Sequence, residues 1–214
     1  MAARNSYHHG DLANALLDAA DDLLEEEGLG GFTLRACARR AGVSHAAPKH
    51  HFGDVQGLLT AVALRGYDRL VATLRAQLAQ AHGDLEDEMF ATAKAYVQFA
   101  QDNPEHFRIM FRADLVAIDM SCPPPTVQAT FAELTNVILR QRGEAVLEPA
   151  VAMGQAKSAA LIDDILLGWC HVHGYAHLRL EGQLDMVPRD AENDHLRATC
   201  ARLSGLIQAY AQAR

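Results

Sequence analysis

Four fixed positive charges, Arg35, Arg39, Arg40 and Lys49, fall between positions 35 and 49 with no acid among them. Cations gathered in this way are suited to one task above others, the neutralisation of a polyanion such as a nucleic-acid backbone. Other side chains with chemical potential are scattered. Eleven histidines raise the question of a metal, and His8-His9, His50-His51 and Cys170/His173/His177 are the clusters. The last set repeats at i, i+3 and i+7, so it can face one way on a helix. Adjacent histidines point to different sides, and no second segment offers ligand spacing. A di-iron bundle needs two Glu-x-x-His pairs, and only Glu192-Asn193-Asp194-His195 has that form. Neither a metal nor a cofactor is therefore expected. Nucleotide-binding glycine loops and the G-x-S-x-G nucleophile turn are absent, which argues against an enzyme. Asp163-Asp164 stands out in an otherwise apolar run. It reads as a paired or interface group, or as an anchor for a cationic ligand.

The elements that hold the basic residues follow from their neighbours. The stretch Thr33–Phe52 reads TLRACARRAGVSHAAPKHHF. Thr33 can cap a short helix whose apolar face is Leu34, Cys37, Ala38 and Ala41. Gly42 is placed to take the left-handed conformation that turns the chain. Ser44 is the expected N-cap of a second helix running to Phe52, with Pro48 in its first turn. Two short helices joined this way form a helix-turn-helix, whose second helix enters the DNA major groove.

Around this stretch the chain reads as all-α. Loose residues 1–10 lead into a helix at Asp11–Gly28 with Leu12, Leu16, Ala19, Ala20 and Leu23 on one face. After the Gly53-Asp54 turn a long helix extends to about Ala81. Further helices are expected at Leu85–Asp102, from Pro104, at Thr126–Arg142, at Val151–Leu180 and from Asp190 to Tyr210, about nine in all. The 214 residues are half hydrophobic, enough for a sizeable core, and no run reaches the length of a membrane span. The net charge is −8. Residues 1–32 hold Arg4 against seven acids, and residues 53–214 hold fourteen bases against twenty acids. A basic island on an acidic body suits contact with DNA in one place only. Cys37, Cys122, Cys170 and Cys200 show no paired spacing, and the N-terminus has no apolar signal core, so a reduced, cytoplasmic protein is expected.

The helix at Asp11–Gly28, the segment Thr33–Phe52 and the following GDVQGLLTAV together resemble the DNA-binding head of the TetR family of regulators, over roughly residues 8–68. GWCHVHGYAHL, with Trp169, His173 and Gly174, resembles the Trp…His-Gly element of one subgroup. The resemblance implies a three-helix helix-turn-helix head at 8–68 and a larger helical effector-binding and dimerisation domain at 69–214. It implies that Thr33 and Ser44 meet phosphates, that Arg35 belongs to the same DNA-facing surface, and that His45, Ala46, Ala47 and His50 face base edges. Lys49 stands where the family commonly has Tyr, keeping a phosphate contact as a point charge. Val55 stands where it commonly has Lys, so one phosphate contact is missing.

For the ligand side, Tyr96, Phe99, Phe107, Met110, Phe111 and Trp169 are candidates to line a pocket, with His173 as polar anchor. The same residues at helical spacing also read as plain core. The last two helices are expected to pair across a twofold axis, which would place two reading helices on a palindromic operator. The reading is a ligand-responsive, homodimeric repressor acting on double-stranded DNA and released by a small apolar or amphipathic effector. The alternative is a helical small-molecule-binding protein with a weakened DNA-binding head.

Overall fold

The computed structural model describes residues 9–148, 158–188 and 191–213. Of the expected loose arm at 1–10, residues 1–8 lie outside the described residues, as do the start of the penultimate helix at 151–157 and Asp190, while His9 and Gly10 are already helical. Nine helices occur among the described residues: α1 His9–Gly31, α2 Leu34–Arg40, α3 Ala47–Phe52, α4 Val55–Leu78, α5 Leu85–Asp102, α6 Pro104–Met110, α7 Pro125–Gln141, α8 Ala159–Leu180 and α9 Glu192–Gln212. The fold is all-α, as expected. The helix read from the sequence at Asp11–Gly28 runs on to Gly31, but Gly28 at φ 63 breaks it, so its last residues form a separate turn.

The chain packs as two compact units. The first holds the residues up to Gly66 together with Glu105–Ile118, and the second holds Tyr67–Pro104 and Asp119–Arg214. The division expected from sequence, at 68/69, is a single cut. The packing instead draws most of α6 into the first unit.

In the first unit α1 supplies the core stripe: Leu16, Ala20, Leu23 and Leu24 are buried with Phe32, Cys37, Ala38, Leu58 and Val62. A polar knot adds direction to this apolar packing. The His106 Nε2–H donates to Asp21 Oδ1 at 3.0 Å. Arg65 Nη1 donates to Asp21 Oδ2 at 3.1 Å and to Asp18 Oδ1 at 2.6 Å. His106 and Asp21 are both buried, so α6, α1 and α4 are joined by groups that have left water. The Ala117 backbone N–H also donates to Thr60 Oγ1 at 2.9 Å. Gly57 shows a close approach of another kind: a Cβ there would sit 1.9 Å from the Phe52 carbonyl oxygen. Only glycine lets the start of α4 come so near the end of α3.

The second unit is a bundle of α5, α7, α8 and α9. Asp84 caps α5, its carboxylate accepting from the Asp87 N–H at 2.6 Å, and Ser158 caps α8 in the same way at 3.2 Å. Each such cap is worth about 1 kcal/mol. Tyr96, Phe99, Leu196 and Ile207 are fully buried. Gln141, also buried, cross-links three helices: its Nε2–H donates to the Leu85 carbonyl, and its Oε1 accepts from Ser204 Oγ at 2.6 Å and Gln208 Nε2 at 2.9 Å. Asp164 of the acidic pair is bound to Arg142, which also reaches Glu144 at 2.6 Å. This is the paired role, and it accounts for half of the oddity at Asp163-Asp164.

Candidate nucleic-acid interface and ligand cavity

The reading segment is built as a short frame with a polar outer face. Thr33 Oγ1 accepts from the Ala36 N–H at 3.0 Å and fixes the start of α2. The same hydroxyl still has its proton to donate outward. Gly42 sits at φ 66 and ends the helix, and the Val43 N–H returns to the Ala38 carbonyl at 3.0 Å. The second helix begins later than the sequence indicates. Residue 46, an alanine with no side-chain capping bond, precedes α3, and Ser44 contributes its carbonyl to the Ala47 N–H at 3.0 Å. Ser44 is therefore not the N-cap of α3. Its hydroxyl is left for other partners. Pro48 occupies the first turn, as expected, and is buried.

The outer face carries Thr33, Arg35, Ser44, His45, Ala46, Lys49 and His50, all exposed, with Ala47 half-buried. The structure thus brings every sequence-selected residue of this segment to the surface of one small motif. Arg40 is different. Its guanidinium donates to Asp22 at 3.1 Å and to Glu26 at 2.7 Å, both on α1. The Glu26 carboxyl is held below its ordinary range by the hydrogen bond from Arg40. Of the four bases in the island, Arg40 is already neutralised locally. Arg35, Arg39 and Lys49 remain as the outward charges. The pairing was invisible in sequence because Asp22 and Glu26 lie on the far side of a turn, and only the packing of α2 against α1 brings them near.

Salt dependence separates these roles. Lys49→Ala is expected to flatten the slope of log affinity against log salt by about one unit per half-site, while Arg40→Ala leaves it unchanged. Binding titrations across a salt series read both. A steeper or equal loss of slope for Arg40→Ala would overturn the assignment.

The residues selected for a pocket are divided between the two units. Phe107, Met110 and Phe111 lie in the first unit, where Phe107 and Phe111 meet edge to face at 5.3 Å. Tyr96 and Phe99 are core residues of the second unit. The Tyr96 hydroxyl and His173 Nδ1 are 2.9 Å apart. Burial raises the Tyr96 pKa, and burial followed by the neighbouring His177 lowers that of His173. The two therefore stay neutral and hold one another. Of the selected residues, Trp169 borders a cavity in the second unit. That cavity, about 50 Å³, is walled by α5, α7, α8 and α9 through residues including Met89, Ala93, Phe131, Ile138, Trp169, His171, Val172 and Cys200. Burial pushes the Cys200 thiol up to about 12, so it is a packing group and no nucleophile at neutral pH. Phe131, Leu134 and Ile138 recur at helical spacing along α7 and form an apolar face. Nothing in it distinguishes a cavity wall from a filled core.

Two helices of the second unit carry exposed apolar side chains. On α8, Ile162, Leu166, Leu167 and Leu178 are exposed, and on α9 Leu206 and Tyr210 are exposed. No helix among the described residues is long and apolar enough to cross a membrane.

Comparisons with known proteins agree with this geometry. Residues 16–62 match the family model described as bacterial regulatory proteins, tetR family. Residues 89–203, more than half of the chain, match the tetracyclin repressor-like C-terminal domain. A solved structure of a protein with unknown function from Rhodococcus sp. RHA1 is 32% identical, with a TM-score of 0.69 over 93% of this chain and 98% of that one. The HTH-type transcriptional regulator BetI of Rhizobium meliloti (strain 1021) is 33% identical over 132 residues, 62% of this chain and 53% of the relative. An uncharacterized HTH-type transcriptional regulator of Bacillus subtilis (strain 168), YobS, is 28% identical over 92 residues, 43% of this chain and 47% of the relative. The matched part thus spans about half the length of these curated relatives.

Proposed function

Because the chain belongs to the TetR family of DNA-binding transcriptional regulators, we propose that it is a homodimeric repressor that binds a palindromic operator and is released by a small effector. The observation that carries this reading is the exposed surface of α2, α3 and the turn between them, where Arg35, Arg39, Lys49, Thr33, Ser44 and His50 face outward together. Cations and hydroxyls there hold the phosphates and set the register. His45 and His50 donate or accept at base edges, and Ala46 and Ala47 offer only methyl contact. The exposed Val55 at the start of α4 adds no charge. The sequence-independent part of affinity should accordingly be modest, and specificity must come from pairing two heads.

The proposed domains are a DNA-binding head at 8–68 and an effector-binding and dimerisation domain at 69–214, with α6 contributing to the head's packing. The proposed pairing surface is the apolar face of α8 and α9. Leu166 and Leu206 stand in water in the single chain, and a second copy would cover them. Two reading helices about 34–36 Å apart would then meet successive turns of the duplex. Release is a population shift: the effector favours an arrangement whose head spacing does not fit. No catalytic step belongs to this scheme.

A gel-shift titration against the DNA upstream of the protein's own gene tests the reading. Salt-sensitive binding at least a hundredfold tighter than to random duplex is the expected result. Equal affinity for both DNAs would instead favour a ligand-binding protein whose head has lost its use.

A further inference from the structure

We infer that His45 is the hydrogen-bonding reader at the front of α3, and that it takes the edge of a guanine as an imidazolium, so that recognition draws a proton from solvent. This rests on the DNA-binding reading above and deepens it to one side chain, one base and one charge state. The first support is what stands at the front. The leading residues of a reading helix are the ones that reach base edges. Here they are His45, Ala46, Ala47 and Pro48. Of these four side chains, that of His45 alone can make a hydrogen bond. The two alanines offer only a methyl group, which suits a thymine methyl, and Pro48 is buried.

The second support is placement. The Ala47 N–H donates to the Ser44 carbonyl at 3.0 Å, which closes a tight turn with His45 and Ala46 at its tip. Both tip residues are exposed. Ala46 already has helical dihedrals, φ −81 and ψ −22, so the turn runs straight into α3 and His45 leads it. His50, the next exposed imidazole, is placed differently. It lies one helical turn on, with its backbone N–H bonded to the Ala46 carbonyl at 3.0 Å. Its ring is set edge-on against that of His51, with centroids 5.6 Å apart.

The third support is charge. On α2, Arg35 and Arg39 face outward, and Arg40 is held by Asp22 and Glu26 of α1. Asp18 and Asp21 of α1 are held by Arg65. The exposed α1 acids Glu25 and Glu27 bond to neither His45 nor His50 among the described residues. The Asp54 carboxylate, beyond the end of α3, accepts from the Gly57 N–H at 2.8 Å. Lys49, His50 and His51 are the other ionisable groups of the segment. No carboxylate of the protein therefore claims the His45 ring, and the anions it meets are those of the duplex. Imidazole is the side chain that changes charge near neutral pH, and phosphates flanking a groove favour its charged form. An imidazolium has two N–H donors and no acceptor. Guanine presents two acceptors, O6 and N7, in the major groove, whereas adenine and cytosine each place an amino donor there. Guanine is the edge that matches.

The test selects binding sites for the full chain from a random duplex library at about pH 6 and about pH 8, with salt held constant because affinity depends on it. The enriched duplex is expected to bind about tenfold more tightly at the lower pH. Its guanines are then replaced one at a time by 7-deazaguanine, which lacks the N7 acceptor. One replacement should cost the wild type about tenfold. His45→Ala should lose both the pH dependence and the sensitivity to that replacement. His45→Arg, a permanent donor, should keep the preference for guanine and lose the pH dependence. Residue 45 is exposed, so both variants should fold, and circular dichroism melting verifies it. Wild-type binding that is selective but equal at the two pH values would overturn the inference and leave the regulator reading standing. An equal 7-deazaguanine penalty in His45→Ala would do the same. If no sequence is enriched at either pH, the regulator reading itself fails, and this inference falls with it.

Discussion

Replacing Asp21 by alanine is expected to cost the protein about 3–5 kcal/mol, because a buried charged network would lose its acceptor while its donors stay behind. Asp21 receives His106 at 3.0 Å and Arg65 at 3.1 Å, and only 7% of its surface is exposed. After the substitution His106, itself 2% exposed, keeps its position without the carboxylate it donates to. For a chain of this length the melting temperature should fall by about 10 °C. Asp18 is the internal control. It accepts from the same Arg65 at 2.6 Å, but its side chain is 70% exposed, and Asp18→Ala should cost under about 1 kcal/mol. Thermal or urea unfolding of the two variants side by side gives the answer. If both shift by the same small amount, the network is not a structural tie.

The second large effect concerns assembly. Leu166→Glu combined with Leu206→Glu should convert the proposed dimer to a monomer and lower affinity for the proposed operator by about a hundredfold or more. Both leucines are about half exposed in the single chain, at 46% and 45%, so a carboxylate at either place costs the monomer little. Buried against a second copy, the same charges would face an apolar surface without partners. Linked half-sites gain about 10²–10⁴ over independent ones, and that gain is what the monomer forfeits. Sedimentation velocity and operator titration measure the two parts. A variant that sediments as a dimer would remove this face from the pairing surface.

The reading motif was legible because its signals are local. Thr33 caps the helix it precedes, Gly42 turns the chain with a positive φ, and Pro48 lies in a first turn. Each effect spans a few residues and needs no knowledge of the fold. The bounds of α5, Leu85–Asp102, were equally plain, since Asp84 caps its start. Ser44 was misread by the same logic. It has the chemistry of a cap, but the chain spends two further residues in a turn before α3 begins. What sequence could not supply was the partner across space. Arg40 looked like its neighbours until α1 placed Asp22 and Glu26 against it. Phe107, Met110 and Phe111 read both as pocket lining and as plain core, because aromatic and thioether side chains line both and helical spacing does not separate the two. Phe131 and Ile138 wall the cavity, and their helical spacing did not mark them out from core residues.

The tie between α6 and α1 bears on how such proteins can be recombined. The head is not one contiguous cassette: Glu105–Ile118 folds with it across a long interval of sequence. A chimera joined near residue 68, pairing this reading motif with a foreign body, would inherit Asp21 and Arg65 but lose His106, and Thr60 would lose the backbone donor it has in Ala117. Exchange of heads between relatives is therefore constrained at a distance from the seam. The substitutions that rescue a failing hybrid should cluster at the 105–118 segment of the recipient, well away from both the DNA-facing residues and the junction.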